Sequence, residues 1–199
     1  MDSLPHLYAA ARLNRACISA RISGETAGAR RLKTVKTVEI YGENYSGKWV
    51  RSRTACRGIV LREGKLLLSY ETGSGLWMIP GGGLEPGEDE TACCIREVAE
   101  ETGFLIRPSD CALVIEEYVY DLKHVNRYYP GTVTDRCERH LTEREAKAGM
   151  EPRWLSVEEA KAVFTSYTGA HAMLRSLYHR EYTALCELFD ENNPVGGLK

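Results

Sequence analysis

Residues 82–104 read GGLEPGEDETACCIREVAEETGF, and this stretch decides most of what the chain reveals about its fold. A loop rich in glycine runs directly into a segment with helical spacing. Within it, Glu97, Glu100 and Glu101 stand at positions i, i+3 and i+4, which places three carboxylates on one helical face. Because like charges so placed repel one another, a divalent cation is the usual partner that stabilises such a face.

The helix is predicted over residues 89–102, with an acidic face that also carries Arg96 and an apolar face opposite to it. Asp89 suits the positive end of the helix dipole, and Gly103 supplies a C-terminal stop. Residues 79–87 contain too much glycine and proline for a helix or a central strand, so we expect a loop whose backbone approaches a ligand closely. From these residues alone, a solvated acidic helix after an ordinary loop stays open as an alternative.

The complete pattern resembles the Nudix box. Gly82, five residues, Glu88, seven residues and then REVAEETGF from Arg96 onward agree with that motif at every defined position. The lead-in WMIPGG at 77–82 is also similar to this family, and the resemblance extends from about Lys36 to the C-terminal helix. It implies the α/β class, specifically the Nudix fold, an α/β/α sandwich around a mixed β-sheet.

The resemblance further implies an activity, which is hydrolysis of the pyrophosphate in a nucleoside diphosphate linked to some group X, with Mg²⁺ or Mn²⁺ as cofactor. It assigns Glu97, Glu100, Glu101 and the backbone carbonyl of Gly81 as metal ligands. The residue chemistry agrees with this assignment. Mg²⁺ prefers hard oxygen ligands, typically one or two carboxylates together with substrate phosphates and water.

Further catalytic roles follow from the same resemblance. Arg96 is expected to hold the carboxylates in place, and Glu88 to be a secondary ligand or orienting group. Glu97 is the general base in some family members, whereas others take the base from a loop beyond the box, where Glu143 and Glu145 lie in this chain. For Arg96 and Glu88, a plain structural role such as a surface ion pair stays open as the alternative. For Glu143 and Glu145, the alternative is a solvated loop carboxylate.

Substrate choice lies outside the box. Gly82 and Gly83 are expected to contact the substrate, and Trp77 and Tyr120 are candidates for stacking on a base, although such strand aromatics usually pack in the core. A proline some fifteen residues past the box is typical of ADP-ribose enzymes. This chain has Val119 there, with a tyrosine on each side, which leans instead towards dinucleoside polyphosphates.

Composition bounds the remaining possibilities. The 199 residues fit one domain with an extension, and a net charge of −2 with pI near 6.2 argues against a nucleic acid polymer as partner. No apolar run approaches the length that spans a membrane. Seven scattered cysteines favour reduced thiols in the cytoplasm. The expected partner is therefore a small nucleotide or nucleotide derivative, and a homodimer is left open.

We predict an N-terminal extension at residues 1–34 and a Nudix domain at residues 35–199. The extension contains five arginines but only two acidic residues, which leaves a transit peptide, a disordered extension and a non-functional leader as alternatives. Beyond the box, Pro130 should lie at a sheet edge or bulge, and Ser156 should open a short helix through a capping box. Strands are predicted at 35–41, 55–61, 65–70, 112–120, 125–134 and 152–155, a loop or short helix at 135–151, and a packing helix at 170–191.

Two other functions compete with hydrolysis. A Nudix-fold module that binds a nucleotide metabolite without cleaving it usually has eroded glutamates, whereas this box is whole. An isomerase of isoprenoid diphosphates on the same fold would need a cysteine and a glutamate outside the box, and the sequence nominates neither. Hydrolysis is therefore the function that the sequence favours.

Overall fold

The computed structural model describes residues 35–169 and 171–190, so the predicted extension at 1–34 lies outside the described residues. Within these ranges nine strands form one sheet. The strands are β1 (Lys36–Tyr41), β2 (Arg51–Arg62), β3 (Lys65–Glu71), β4 (Leu76–Met78), β5 (Gly81–Gly83), β6 (Phe104–Pro108), β7 (Leu113–Val119), β8 (Leu122–Arg136) and β9 (Met150–Ser156). The helices are α1 (Glu90–Thr102), α2 (Glu143–Ala148), α3 (Val157–Thr165) and α4 (Ala172–Phe189). Over the described part of the chain, none of these helices has the length and apolar character needed to cross a bilayer.

The sheet is mixed and is covered by helices on both faces. Its main order is β1-β7-β8-β2-β3-β4, with β5 beside β2, β6 beside β8 and β9 beside β3. The pairs β1–β7 and β2–β8 are parallel, whereas β2–β3 and β7–β8 are antiparallel. One core, which includes Val60 and Val98, lies under α1, and a second, which includes Ile59 and Leu185, lies under α3 and α4. The predicted α/β/α sandwich around a mixed sheet is confirmed.

The predicted helix boundaries are set by local caps. The Asp89 carboxylate accepts hydrogen bonds from the backbone amides of Thr91 and Ala92, at 2.9 and 3.2 Å, and so begins α1. Gly103 ends α1 in the left-handed conformation, with φ 73°. At Ser156 the predicted capping box is present, because its side chain and that of Glu159 bond each other's backbone amides.

The loop predicted at residues 79–87 contains a short strand. Gly81–Gly83 form β5, which runs antiparallel to β2 with Gly81 opposite Arg57. A Cβ on Gly81, whose φ is 149°, would lie only 2.3 Å from the carbonyl oxygen of Cys56. The glycines therefore permit a strand here, because a side chain at this position would prevent the two backbones from pairing.

Pro130 was predicted to lie at a sheet edge or bulge, and the edge was wrong. The register shift between β6 and β8 falls between Val133 and Asp135, not at Pro130. Strand β8 lies between β7 and β2, and Pro130 pairs with Ile59 in the parallel register of β2. On its other side β8 changes partners at this point, because β7 pairs up to Tyr128 and β6 pairs from Gly131 onward. The Pro130 carbonyl there accepts the backbone amide of Ser109, at 2.7 Å. An interior strand tolerates proline at this junction because its missing N–H falls between two ladders.

Candidate active site

Arg96 is the centre of the site, because its guanidinium joins the glycine-rich loop to the acidic face of α1. It holds Glu88 with two bonds, from Nε at 2.7 Å and from Nη2 at 2.8 Å. Its Nη1 donates to Glu97 at 2.7 Å and to Glu100 at 3.2 Å, and Nη2 donates to the carbonyl of Gly83 at 3.1 Å. The structure thus brings together four residues that the sequence nominated, around one planar donor.

Glu101 is buried and is held separately from the other two glutamates. The Ser69 hydroxyl donates to Glu101 Oε2 at 2.6 Å, and the backbone amide of Gly81 approaches the same oxygen at 3.4 Å. Helical spacing predicts Glu101 on an acidic face but does not predict its contact with Ser69. The available signal was a lone hydroxyl within the apolar run LLLSY of β3. Ser69 and Gly81 together give the Glu101 carboxylate one orientation.

Burial makes the acidic face costly to ionise. It raises the pKa of Glu100 to about 7 and that of the buried Glu101 to about 8, and it also raises the pKa of Glu97. Repulsion from neighbouring carboxylates, including Glu145, adds to all three shifts. Burial acts in the same sense on Glu88, but hydrogen bonds from Arg96 and the Glu85 amide outweigh it, so the pKa of Glu88 lies below its usual value.

Gly82 packs directly against the Glu97 carboxylate. A Cβ on Gly82 would lie 2.3 Å from Glu97 Oε2, so a side chain there would displace the carboxylate. Cys93 lies beneath, with its sulfur 3.7 Å from the Gly82 carbonyl oxygen and its side chain fully buried. A hydrogen bond with Cys56 and burial both raise the pKa of Cys93, so this thiol packs as a small core residue. The predicted contact of Gly82 and Gly83 with substrate stays a prediction.

The residues fit a hard divalent cation in their chemistry, although their side chains are engaged with protein partners. In residues 35–169 and 171–190, no three His, Cys, Asp or Glu side chains converge into a ready metal site. The reason is that Arg96 binds Glu97 and Glu100, whereas Glu101 turns to Ser69. The donors nevertheless are carboxylate and carbonyl oxygens, the hard ligands that such a cation prefers.

The remaining candidates divide into two groups. Glu145 lies near the acidic face, where its charge contributes to the raised pKa values, and Glu143 is exposed at the start of α2. Trp77 packs against Tyr70, with ring centroids 4.3 Å apart, and borders the core under α4. Tyr120 is exposed in the β7–β8 turn, with φ 53°. Of the two aromatic candidates, only Tyr120 therefore presents an open ring, and its contact with substrate stays a prediction.

The raised pKa values predict that the metal-free protein becomes less stable as pH rises. A carboxyl whose folded pKa exceeds its unfolded value of 4.5 does not reduce the free energy of unfolding below pH 4.5, where it is protonated in both states. The free energy of unfolding then decreases as pH rises towards the folded-state pKa values, about 7 for Glu100 and about 8 for Glu101. We expect the melting temperature in EDTA to fall between pH 5 and 8, and Mn²⁺ to raise it most at pH 8. A Glu101→Gln variant should show a smaller fall, and equal profiles for both proteins would contradict the assignment.

A mixed sheet between helices, with an arginine-centred group of glutamates beside a glycine-rich strand, defines the class of domain seen here. The family model for the NUDIX domain matches residues 52–177, more than half of the chain, and the chain belongs to the Nudix family. Diphosphoinositol polyphosphate phosphohydrolase 3-beta from Homo sapiens is 34% identical over 107 residues, which cover 54% of this chain and 63% of that protein. Diphosphoinositol polyphosphate phosphohydrolase 2 from Mus musculus is 33% identical over 107 residues, covering 54% and 58%.

A solved structure supports the same fold. A NUDIX hydrolase from Nitrosomonas europaea superposes with a TM-score of 0.50 at 23% identity, over 67% of this chain and 90% of that chain. At this identity the likeness concerns the fold alone. The matched segment spans less than two thirds of the two phosphohydrolases named above.

Proposed function

We propose that this protein hydrolyses a phosphoanhydride bond in a small, multiply phosphorylated molecule and that it uses Mg²⁺ or Mn²⁺. The observation that carries the proposal is the Arg96 centre, which binds Glu88, Glu97, Glu100 and the Gly83 carbonyl at 2.7–3.2 Å. A group of buried carboxylates would repel a diphosphate, whereas the same carboxylates with a cation would bind it.

Each residue has a distinct part in this proposal. Glu97, Glu100, Glu101 and the Gly81 carbonyl would hold the cation, which would offset phosphate charge and polarise the phosphorus–oxygen bond under attack. Arg96 keeps Glu97 and Glu100 in place and ties them to the loop. Glu88, ionised and bound by two atoms of Arg96, keeps that guanidinium in one orientation.

We propose Glu145 rather than Glu143 as the flanking carboxylate that acts on water as a general base. Glu145 is partly buried close to the acidic face, and the α2 capping box positions it, because its Oε2 accepts the Thr142 amide at 2.9 Å. Replacing Glu145 by glutamine keeps this acceptor but removes the base, so we expect kcat to fall by about 100-fold or more.

The matched replacement Glu143→Gln, in the same helix, should lower kcat far less, and the exposed Glu158→Gln serves as a control. Steady-state rates at saturating metal measure all three variants, with melting temperatures to confirm their folding. If Glu145→Gln kept the wild-type rate, the base would have to be sought among the box glutamates, of which Glu97 is the first candidate.

Two substrate classes follow from different observations. The box resemblance favours a nucleoside diphosphate linked to a further group, including dinucleoside polyphosphates, and Tyr120 offers an exposed ring for a base. Diphosphoinositol polyphosphates are the second class, suggested by the names of the two phosphohydrolases. Arg53 supports a highly phosphorylated substrate of either class. It is exposed, has no ion pair among the described residues, and would lie 3.0 Å from a Cβ on Gly83.

The test is a substrate panel with product analysis. It contains nucleoside triphosphates, ADP-ribose, dinucleoside polyphosphates, NADH, sugar nucleotides and diphosphoinositol polyphosphates, each with Mg²⁺ and with Mn²⁺. We expect metal-dependent cleavage of a phosphoanhydride in at least one class, and the products identify the bond that breaks. Binding of panel members without any turnover would instead support a non-catalytic module. The cytoplasmic location and the small-molecule partner belong to the same proposal.

A further inference from the structure

Three consecutive backbone carbonyls lead into β5, and β2 binds all of them. Arg57 Nη1 donates to the carbonyl of Ile79 at 3.2 Å and approaches that of Gly81 at 3.5 Å. Between them, the carbonyl of Pro80 accepts the Gly58 amide at 2.9 Å. The segment that carries the Gly81 carbonyl is therefore held by one side chain and one backbone amide of the same strand.

Arg57 reaches these carbonyls by crossing the face of Gly81. A Cβ on Gly81 would lie 2.6 Å from Arg57 Cα and 2.9 Å from Arg57 Cγ. The arginine is buried, with 7% of its surface exposed. This close crossing requires glycine at position 81 and places a guanidinium beside the carbonyl that the proposed function assigns to the cation.

A chain of alternating charges leads away from Arg57. Its Nη1 lies 3.7 Å from an oxygen of Glu181 on α4, and its Nε donates to Asn126 at 3.1 Å. Glu181 is fully buried and also binds Arg180 at 2.7 Å, and Arg180 binds Glu117 of β7 at 2.9 Å. Arg57 is thus the end, at the loop, of a buried network that is anchored by α4.

This arrangement suits a positioning task. A carbonyl oxygen has two lone pairs, so a donor on one side leaves the other for a cation and sets its direction. A second positive charge beside a cation is unfavourable unless a carboxylate balances it, and Glu181 is placed to do so.

We propose that Arg57 is a positioning residue that orients the Gly81 carbonyl towards the cation, while Glu181 balances its charge. This inference rests on the proposed function, in which the Gly81 carbonyl is a ligand.

The direct test is a titration of the metal-free full chain with Mn²⁺ alone, followed by electron paramagnetic resonance of the free ion. We expect Arg57→Met to weaken Mn²⁺ binding by about tenfold, as for residues that orient ligands elsewhere. Arg57→Lys retains the charge without the planar fork, so its Mn²⁺ affinity should lie between those of the wild type and of Arg57→Met. The matched control is Arg62→Met, on the same strand, whose side chain is half-exposed and pairs with exposed Glu63.

Turnover supplies a second readout. The Arg57 variants should lose kcat at moderate Mn²⁺, regain part of it at high Mn²⁺, and keep the KM for substrate. A purely structural arginine would lower the melting temperature but leave the Mn²⁺ affinity of the folded protein unchanged, and this result overturns the inference. If Arg57→Met fails to fold, Glu181→Gln applies the same test, and wild-type Mn²⁺ affinity in that variant also overturns it. If the wild-type protein binds no Mn²⁺ and cleaves nothing, the proposed function itself fails.

Discussion

Replacing Glu97 by glutamine is expected to lower kcat by about 1,000-fold or more, while the protein stays folded. Glutamine has nearly the same shape, so it still fits against Gly82 and still accepts a hydrogen bond from Arg96. Glutamine lacks the negative charge with which Glu97 would bind a cation or accept a proton. Because burial already disfavours the ionised form of Glu97, losing that charge should not destabilise the metal-free fold.

The same substitution at Glu101 should have a comparable effect on turnover. Its pKa of about 8 means that the metal-free protein holds it largely protonated at neutral pH, so Glu101→Gln preserves the contact with Ser69. Rates on the best substrate of the panel and circular dichroism melting curves measure the two effects separately. Glu158→Gln, on an exposed side chain, is the matched control. Undiminished rates in both box variants would remove the basis for the hydrolase assignment.

Replacing Arg180 by methionine is expected to reduce the free energy of unfolding by about 3–5 kcal/mol. The guanidinium of Arg180 binds Glu117 at 2.9 Å and Glu181 at 2.7 Å, and all three side chains are buried. Methionine fills a similar volume but leaves two carboxylates with fewer counter-charges in a low-dielectric interior. The expected fall in melting temperature is about 10 °C for a domain of this size.

The matched control for Arg180 lies on the same helix. Arg175 pairs with Glu43, whose side chain is 75% exposed, so Arg175→Met should cost about 1 kcal/mol or less. Urea unfolding of the three proteins, with equal m-values, provides the comparison. Equal midpoints for both variants would mean that water penetrates the network and screens its charges.

The arginine-centred part of the site could be predicted because its residues are neighbours on one helix. Arg96, Glu97 and Glu100 lie within five positions, and helical periodicity alone places them together. Glu101 shows where this reasoning stops. The same periodicity puts it on an acidic face, but β3 passes over that point and covers it with Ser69. Which side chain becomes buried depends on the strand that packs against it, and the helix does not encode that strand.

The buried network left a weaker signal in the sequence. Arg57 interrupts the apolar strand β2, and Glu181 lies on the same helical stripe as Leu177 and Leu185. A charge inside an apolar pattern indicates a buried ionic partner, because an isolated buried charge is very costly. The pattern does not name that partner, since residues 57 and 181 are far apart in the chain.

Pro130 is a similar case, because the sequence predicted an edge or a bulge from the missing N–H alone. The exchange of neighbours from β7 to β6 is a property of the whole sheet.

The local sequence alone determined the helix with its caps, the clustered glutamates, the capping box at Ser156 and, through the completeness of the box, the family. These features depend on contacts within a few residues, where backbone geometry is known in advance. The tertiary structure decided which carboxylates are buried, which glycine packs against Arg57, and how the buried ion pairs link α4 to the glycine-rich loop. Those outcomes depend on segments distant in the chain, whose approach sets the burial and the electrostatic energy of every charge between them.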